Sequence, residues 1–316
     1  MLTRNQSRRL SWKGAATVGI ASVLVASCQW FNGTKDGNND LVWCTVEYED
    51  SIAVGNAQAF QEMHIDFPPS MDAEKADKGT VAALAWIRER VMSCSFPNFE
   101  GEQIDSAIAF SIDEVERYAE TFVKSCGRQG LDHMATDLRE FAAEMGEGGF
   151  DGSFMNWLHI ELQEQNPEYL TLSQEYDIYT GGAHGSQRLA GVTFSKKEGI
   201  QMGWNIFNPD KKKELVALIK EELKKAFSTE SETPIVTDEQ LQELLILYDD
   251  PDTPENELEY GLPLPVTDPW MTRDGIVFLY QEYEIACYAM GRPSVILPYG
   301  AVLPLLTDKG RALLNR

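Results

Sequence analysis

The run SFMNWLHIELQEQ (153–165), then NPEY, then LTLSQEYDIYT (170–180), limits what this chain can build more than any other stretch. Both flanks are rich in β-formers, and the first alternates apolar with polar residues, while NPEY carries turn chemistry, so the whole reads as a β-hairpin. RLAGVTFS (188–195) and IQMGW (200–204) around KKEG form a second hairpin candidate. LVWCTVEYED (41–50) alternates and reads as a strand.

Helical signals lie in blocks between these strands. AEKADKGTVAALAWIRERVMSC (73–94) places Val81, Leu84, Ile87 and Val91 at helical spacing. SIDEVERYAETFVKSC (111–126) opens with Ser111 and Glu114 in capping-box register, and MATDLREFAAEMG (134–146) is a further helical run closed by Gly146. Asn208 and Pro209 start another helix, with Leu215, Ile219, Leu223 and Phe227 as its apolar stripe, and Thr237 with Gln240 caps the next. Near the end, WMTRDGIVFLYQEYEIACYAMG (270–291) predicts a hairpin about Arg273-Asp274-Gly275, and SVILPYGAVLPLL (294–306) a strand leading into a helix. Blocks rather than strict alternation imply an α+β fold: mainly antiparallel sheet, helices packed on one side, two intimately packed subdomains.

The first segment stands apart. MLTRNQSRRLSWKG carries Arg4, Arg8, Arg9 and Lys13 with no acid, and an apolar stretch too short for an ordinary transmembrane helix follows. It ends in VASC, small residues before Cys28, which resembles a bacterial lipobox. The expectation is a signal peptide over 1–27, lipidation of Cys28, and a polar tether over 28–40. The protein would then be anchored to a membrane of the cell envelope, facing away from the cytoplasm. Gln29 after the cysteine fits an outer membrane, if the cell has one.

The chain has 27 basic and 50 acidic residues, a net charge of -23. Removal of residues 1–27, which hold four bases, would make it -27. A polyanion of this size excludes nucleic acid as a partner and would attract a cationic one; the plainer role of such charge is solubility. The acidic DDPDTPENELEYG (249–261) lacks the EF-hand pattern and reads as an exposed loop. No cofactor motif is present, and the cysteines lack the spacing of a metal site. Beyond Cys28 there remain Cys44, Cys94, Cys126 and Cys287. Outside the cytoplasm these imply disulfides, with Cys94–Cys126 the favoured pair because each lies near the end of an expected helix; buried free thiols are the alternative.

YDIYTGGAHGSQ (176–187) concentrates aromatics, glycines and one of four histidines. A catalytic reading would use His184 with Asp177 in a cell-envelope hydrolase. Yet no nucleophile elbow or HExxH accompanies them, and His64, His133 and His159 are isolated in sequence. The structural reading makes Gly181 and Gly182 a turn and His184 its clamp, with Tyr179, Gly181, Gly182 and His184 bordering a ligand groove.

YDIYTGGAHG, followed by VTFSKKEGIQMGWNIF, resembles the RsiV-like domain, as does DGIVFLYQEYEIACYAMGRPSVILPYGAVLPLL. HIDFP and its neighbouring helix look like the module at the N-terminus of PdaC-type peptidoglycan deacetylases. The implied division is 41–185 for that module, with a helical insertion, and 186–316 for the RsiV-like domain. In anti-sigma factors of the family this region is an extracytoplasmic sensor that binds lysozyme. The lipobox replaces their sigma-binding segment and membrane span, so sigma signalling is not implied, and Phe194-Ser195 departs from the family's Phe-Asp. The expected function is therefore a non-enzymatic envelope module binding a cationic protein such as lysozyme, or cell-wall glycan (peptidoglycan). A hydrolase built on His184 and a structural periplasmic assembly partner are the rivals.

Overall fold

The computed structural model describes residues 43–68, 76–95, 119–146, 150–230, 234–235, 237–245 and 260–314. The leader, Cys28, the tether, the Ser111/Glu114 capping box and most of the acidic 249–261 loop lie outside them.

Two sheets organise the chain. The larger has six strands in sequence order: β1 Cys44–Val54, β2 Ala57–Phe67, β3 Ser153–Gln165, β4 Tyr169–Tyr179, β5 Ser186–Ser195 and β6 Gln201–Met202. All neighbours are antiparallel except β2 and β3, which run parallel from Gln58↔Ser153 to Ile65↔Ile160. A parallel pair needs a long crossover; α1 (Lys78–Ser95) and α2 (Ala119–Glu144) lie in it. The smaller sheet joins β7 Trp270–Met271, β8 Ile276–Leu279 and β9 Ser294–Leu297, all antiparallel.

Alternation along the strands decides which face is covered. Val46, Tyr48, Met63, Ile65, Leu158, Ile160, Leu170, Leu172 and Val192 share one face and pack with Leu84, Ile87 and Val91 of α1 and Phe122, Val123 and Cys126 of α2. The helices thus sit on one side of this sheet, as expected. Asp77 caps α1, its carboxylate accepting from the Thr80 amide at 2.8 Å and the Thr80 hydroxyl at 2.9 Å. Val81 belongs to the expected apolar stripe but is 38% exposed. The runs expected to make separate helices before Cys126 and after Met134 are one rod, passing through Gly127 and Gly130. Gly127 has a packing reason: a Cβ there would fall 2.3 Å from the Tyr48 ring of β1.

The second core lies between the smaller sheet and α3 (Lys212–Glu230), where Leu215, Ile219, Leu223 and Phe227 meet Ile276, Phe278, Val295 and Leu297. Asn208 caps the turn before α3 through the Asp210 amide, and a full Thr237/Gln240 capping box opens α4 (Asp238–Leu244). Two short helices, α5 (Tyr299–Val302) and α6 (Asp308–Ala312), close the chain. The strand expected to continue through YEIAC stops at Leu279; the Glu284 carboxylate takes the Gln281 and Val266 amides, both at 2.7 Å, and folds that segment into turns. Trp270 packs over Gly191, and the Met271 amide donates to the Thr193 hydroxyl at 2.9 Å, so the smaller sheet rests on the β5 end of the larger one. The expected boundary at 185/186 falls in the hairpin between β4 and β5, inside the larger sheet.

Candidate functional site

The hairpin after β4 is shaped by backbone first. Gly181 and Gly182 sit at φ +96° and +95°, where side chains other than glycine are strained. The Tyr179 hydroxyl donates to the Gly182 carbonyl at 3.0 Å. His184 Nδ1 donates to the Gly185 carbonyl at 2.9 Å, and its ring stacks on Tyr288 with centroids 4.4 Å apart. Tyr283 completes the cluster, 5.8 Å from Tyr288 and at positive φ. Asp177 is engaged elsewhere: Gln187 Nε2 donates to it at 2.7 Å, and partial burial pushes its carboxyl above the usual range. No hydrogen bond joins Asp177 to His184, so the residues named for a hydrolase do not form a dyad here. Tyr179, Gly181, Gly182 and His184 do come together, as an exposed turn against the 283–288 segment.

Among the described residues no helix or strand covers the face of the larger sheet opposite α1 and α2 over β1–β4, though Arg292 reaches it and pairs with Glu175 at 3.0 Å. Registered pairs run across it: Glu47–His64–His159–Glu175 in one row, and Glu49–Glu62–Trp157–Asp177 in the next. The result is an acidic surface with the half-exposed Trp157 indole at its middle. The histidine rings lie 5.6 Å apart, and each has a carboxylate: His64 Nδ1 is 3.3 Å from Glu47, and His159 Nε2 is 3.1 Å from Glu62. The Glu62 hydrogen bond raises the His159 pKa. Sequence spacing gave no sign of this pairing, because the parallel β2–β3 contact joins positions 95 residues apart. Among the described residues, no three His, Cys, Asp or Glu side chains converge to hold a metal ion.

A cleft of about 530 Å³ opens at the junction of the two cores, within the range of small-molecule sites. Trp86 and Arg90 of α1 form one wall, Gln174 and Tyr176 of β4 with Arg188 of β5 the floor, and Val266–Asp268 the far side. The Arg90 guanidinium lies 5.5 Å from the Trp86 ring centroid, and its Nε is buried with no hydrogen bond. Asp268 already accepts from Gln201 Nε2 at 2.8 Å. No motif announced this cleft; its residues come from five separated segments.

Cys94 reaches the cleft's inner edge, and here an expectation is corrected. Cys94 and Cys126 are both thiols, not joined in a disulfide. The Cys94 thiol donates to Asn156 Oδ1 at 3.3 Å, and the Asn156 amide returns to the Cys94 carbonyl at 3.1 Å. Burial pushes this thiol up to about 12, so it stays protonated. No described helix is long and apolar enough to cross a membrane.

Against known proteins, residues 205–300 match a family model described as a protein of unknown function, DUF3298. A solved member of that family from Bacteroides fragilis aligns with TM-score 0.59 and 19% identity, covering 86% of this chain and 96% of its own. A second, from Pseudomonas aeruginosa, aligns with TM-score 0.52 and 13% identity, covering 85% and 96%. No curated protein matches. At these identities the likeness is one of fold, and it agrees with the mixed α+β architecture. The C-terminal region of this chain carries a DUF3298 domain of unknown function.

Proposed function

We propose that this protein is a non-enzymatic binding module of the cell envelope, held to a membrane through lipidated Cys28, whose uncovered sheet face receives a cationic protein of the lysozyme type. The observation that carries the reading is that face: Glu47, Glu49, Glu62, Glu161, Glu175 and Asp177 share one side of the sheet, with Trp157 among them. Opposite charge steers encounter, and an exposed indole is a common anchor in protein interfaces. The resemblance of the YDIYTGGAHG region to lysozyme-binding sensors supports the same partner, and would make 186–316 the RsiV-like part and 41–185 the PdaC-type part. His184 supports a binding role more than chemistry, since its Nδ1 bond goes to a carbonyl and its ring to Tyr288.

The test is binding of lysozyme to the chain at low and high ionic strength. Binding should weaken as salt shortens the Debye length below about 10 Å. Glu49→Lys with Glu161→Lys should lower affinity about tenfold or more, chiefly through the association rate. Trp157→Ala should instead speed dissociation. Absence of binding at low salt would sink the proposal.

A further inference from the structure

The junction cleft has a character opposite to the surface around it. In a chain of net charge -23, two guanidinium groups, Arg90 and Arg188, line one concavity. Their local opposition is limited. Asp268 is occupied by Gln201, and Glu284 behind Val266 by two backbone amides. Glu89 lies 3.9 Å from Arg90, at the margin of an ion pair. The polar groups of the floor have donors and acceptors to spare. Arg188 makes no hydrogen bond or ion pair with any described residue, although it lies near enough to Glu284 for the two charges to attract. Neither the Gln174 amide nor the Tyr176 hydroxyl has a hydrogen-bond partner among them. Arg90 adds a buried Nε with nothing to donate to. A buried donor left unmatched, as at Arg90 Nε, costs free energy, and an anionic ligand is the group that would satisfy it and pair with the exposed Arg188 guanidinium as well.

We propose that this cleft binds a small hydroxylated anion, a compact molecule bearing a carboxylate or a phosphate, with its charge between Arg90 and Arg188. Gln174 and Tyr176 would meet its hydroxyls, and the Trp86 ring would flank its apolar edge. The binding is simple association, with no covalent step. The site faces the α1 side of the larger sheet, whereas the acidic surface lies on the other side, so the two ligands would not compete for the same groups.

Titration of the full chain with galacturonate, glucose 6-phosphate and glucose tests this, followed by calorimetry or NMR shifts. At least one of the two acids should bind, with glucose at least about tenfold weaker, and Arg188→Gln and Arg90→Gln should each weaken that acid about tenfold or more. Arg139→Gln, on the exposed side of α2, should change nothing. Which acid binds more tightly distinguishes carboxylate from phosphate recognition. The exposed position of Arg188 leaves folding untouched by its substitution, which circular dichroism would verify. Equal binding of glucose, unchanged affinity in Arg188→Gln, or no binding of either acid at millimolar concentration would each overturn the proposal. Lysozyme binding by Arg188→Gln should remain unaltered, which separates failure here from failure of the acidic-face reading.

Discussion

At the scale of single residues, the GGAHG turn separates backbone need from side-chain need. Gly182 has open space around it, yet its φ of +95° remains costly for any other residue. Gly182→Ala should therefore lose about 1 kcal/mol in urea unfolding, from conformation alone. His184→Ala removes one exposed hydrogen bond and a ring stack, and should cost no more than about 1 kcal/mol. The pair His159–Glu62 behaves differently with pH. The folded state raises the His159 pKa above its ordinary 6.5, with Glu62 the main cause. The stability this confers is complete below about pH 6.5 and disappears as pH rises through the raised folded value. Glu62→Gln should thus lower the melting temperature at pH 5.5 and leave it nearly unchanged at about pH 9. An equal shift at both values would show that the pair acts through packing instead.

At the scale of elements, local pattern was a good guide wherever the deciding contacts were local. The β3–β4 and β5–β6 hairpins, the Asn208 and Thr237 caps and the α3 stripe all follow from spacing and turn chemistry, and all are present. Where long-range packing decides, the sequence was mute. β2 drew no strand assignment of its own, although Ala57–Phe67 alternates buried and half-buried positions throughout. The His64–His159 contact and the cleft were hidden for the same reason, since each joins segments far apart in the chain. α2 was read as two runs, one ending at Cys126 and one starting at Met134, whereas Gly127 between them admits the Tyr48 ring against a continuous rod. Gly127→Val should accordingly cost about 3 kcal/mol or more, because the neighbour it strikes is a buried ring in a sheet. A loss below about 1 kcal/mol, the ordinary propensity effect of such a change, would mean that the helix can move away from β1.

At the scale of the whole molecule, two cores meet along a seam of packed side chains and hydrogen bonds, among them the Gln281 amide paired with the Leu189 backbone. Trp270 over Gly191 and the Met271–Thr193 hydrogen bond are central to that seam. Trp270→Ala should cost about 3–5 kcal/mol and split a single cooperative melt into two transitions, one for each core. Coincident loss of both cores would instead show that the seam is redundant. The parallel pairing of β2 with β3 also has a consequence in time. A ribosome completes β2 roughly a hundred residues before the end of β3, about 5–20 s earlier at ordinary elongation rates. During that delay β2 has only β1 as a strand partner, a two-stranded hairpin being marginal in water by itself, and α1 and α2, made in the same interval, are what can pack on the pair. The six-stranded sheet can therefore close only once β3 is made, when the older hairpin with its helices meets the β3–β4–β5 meander.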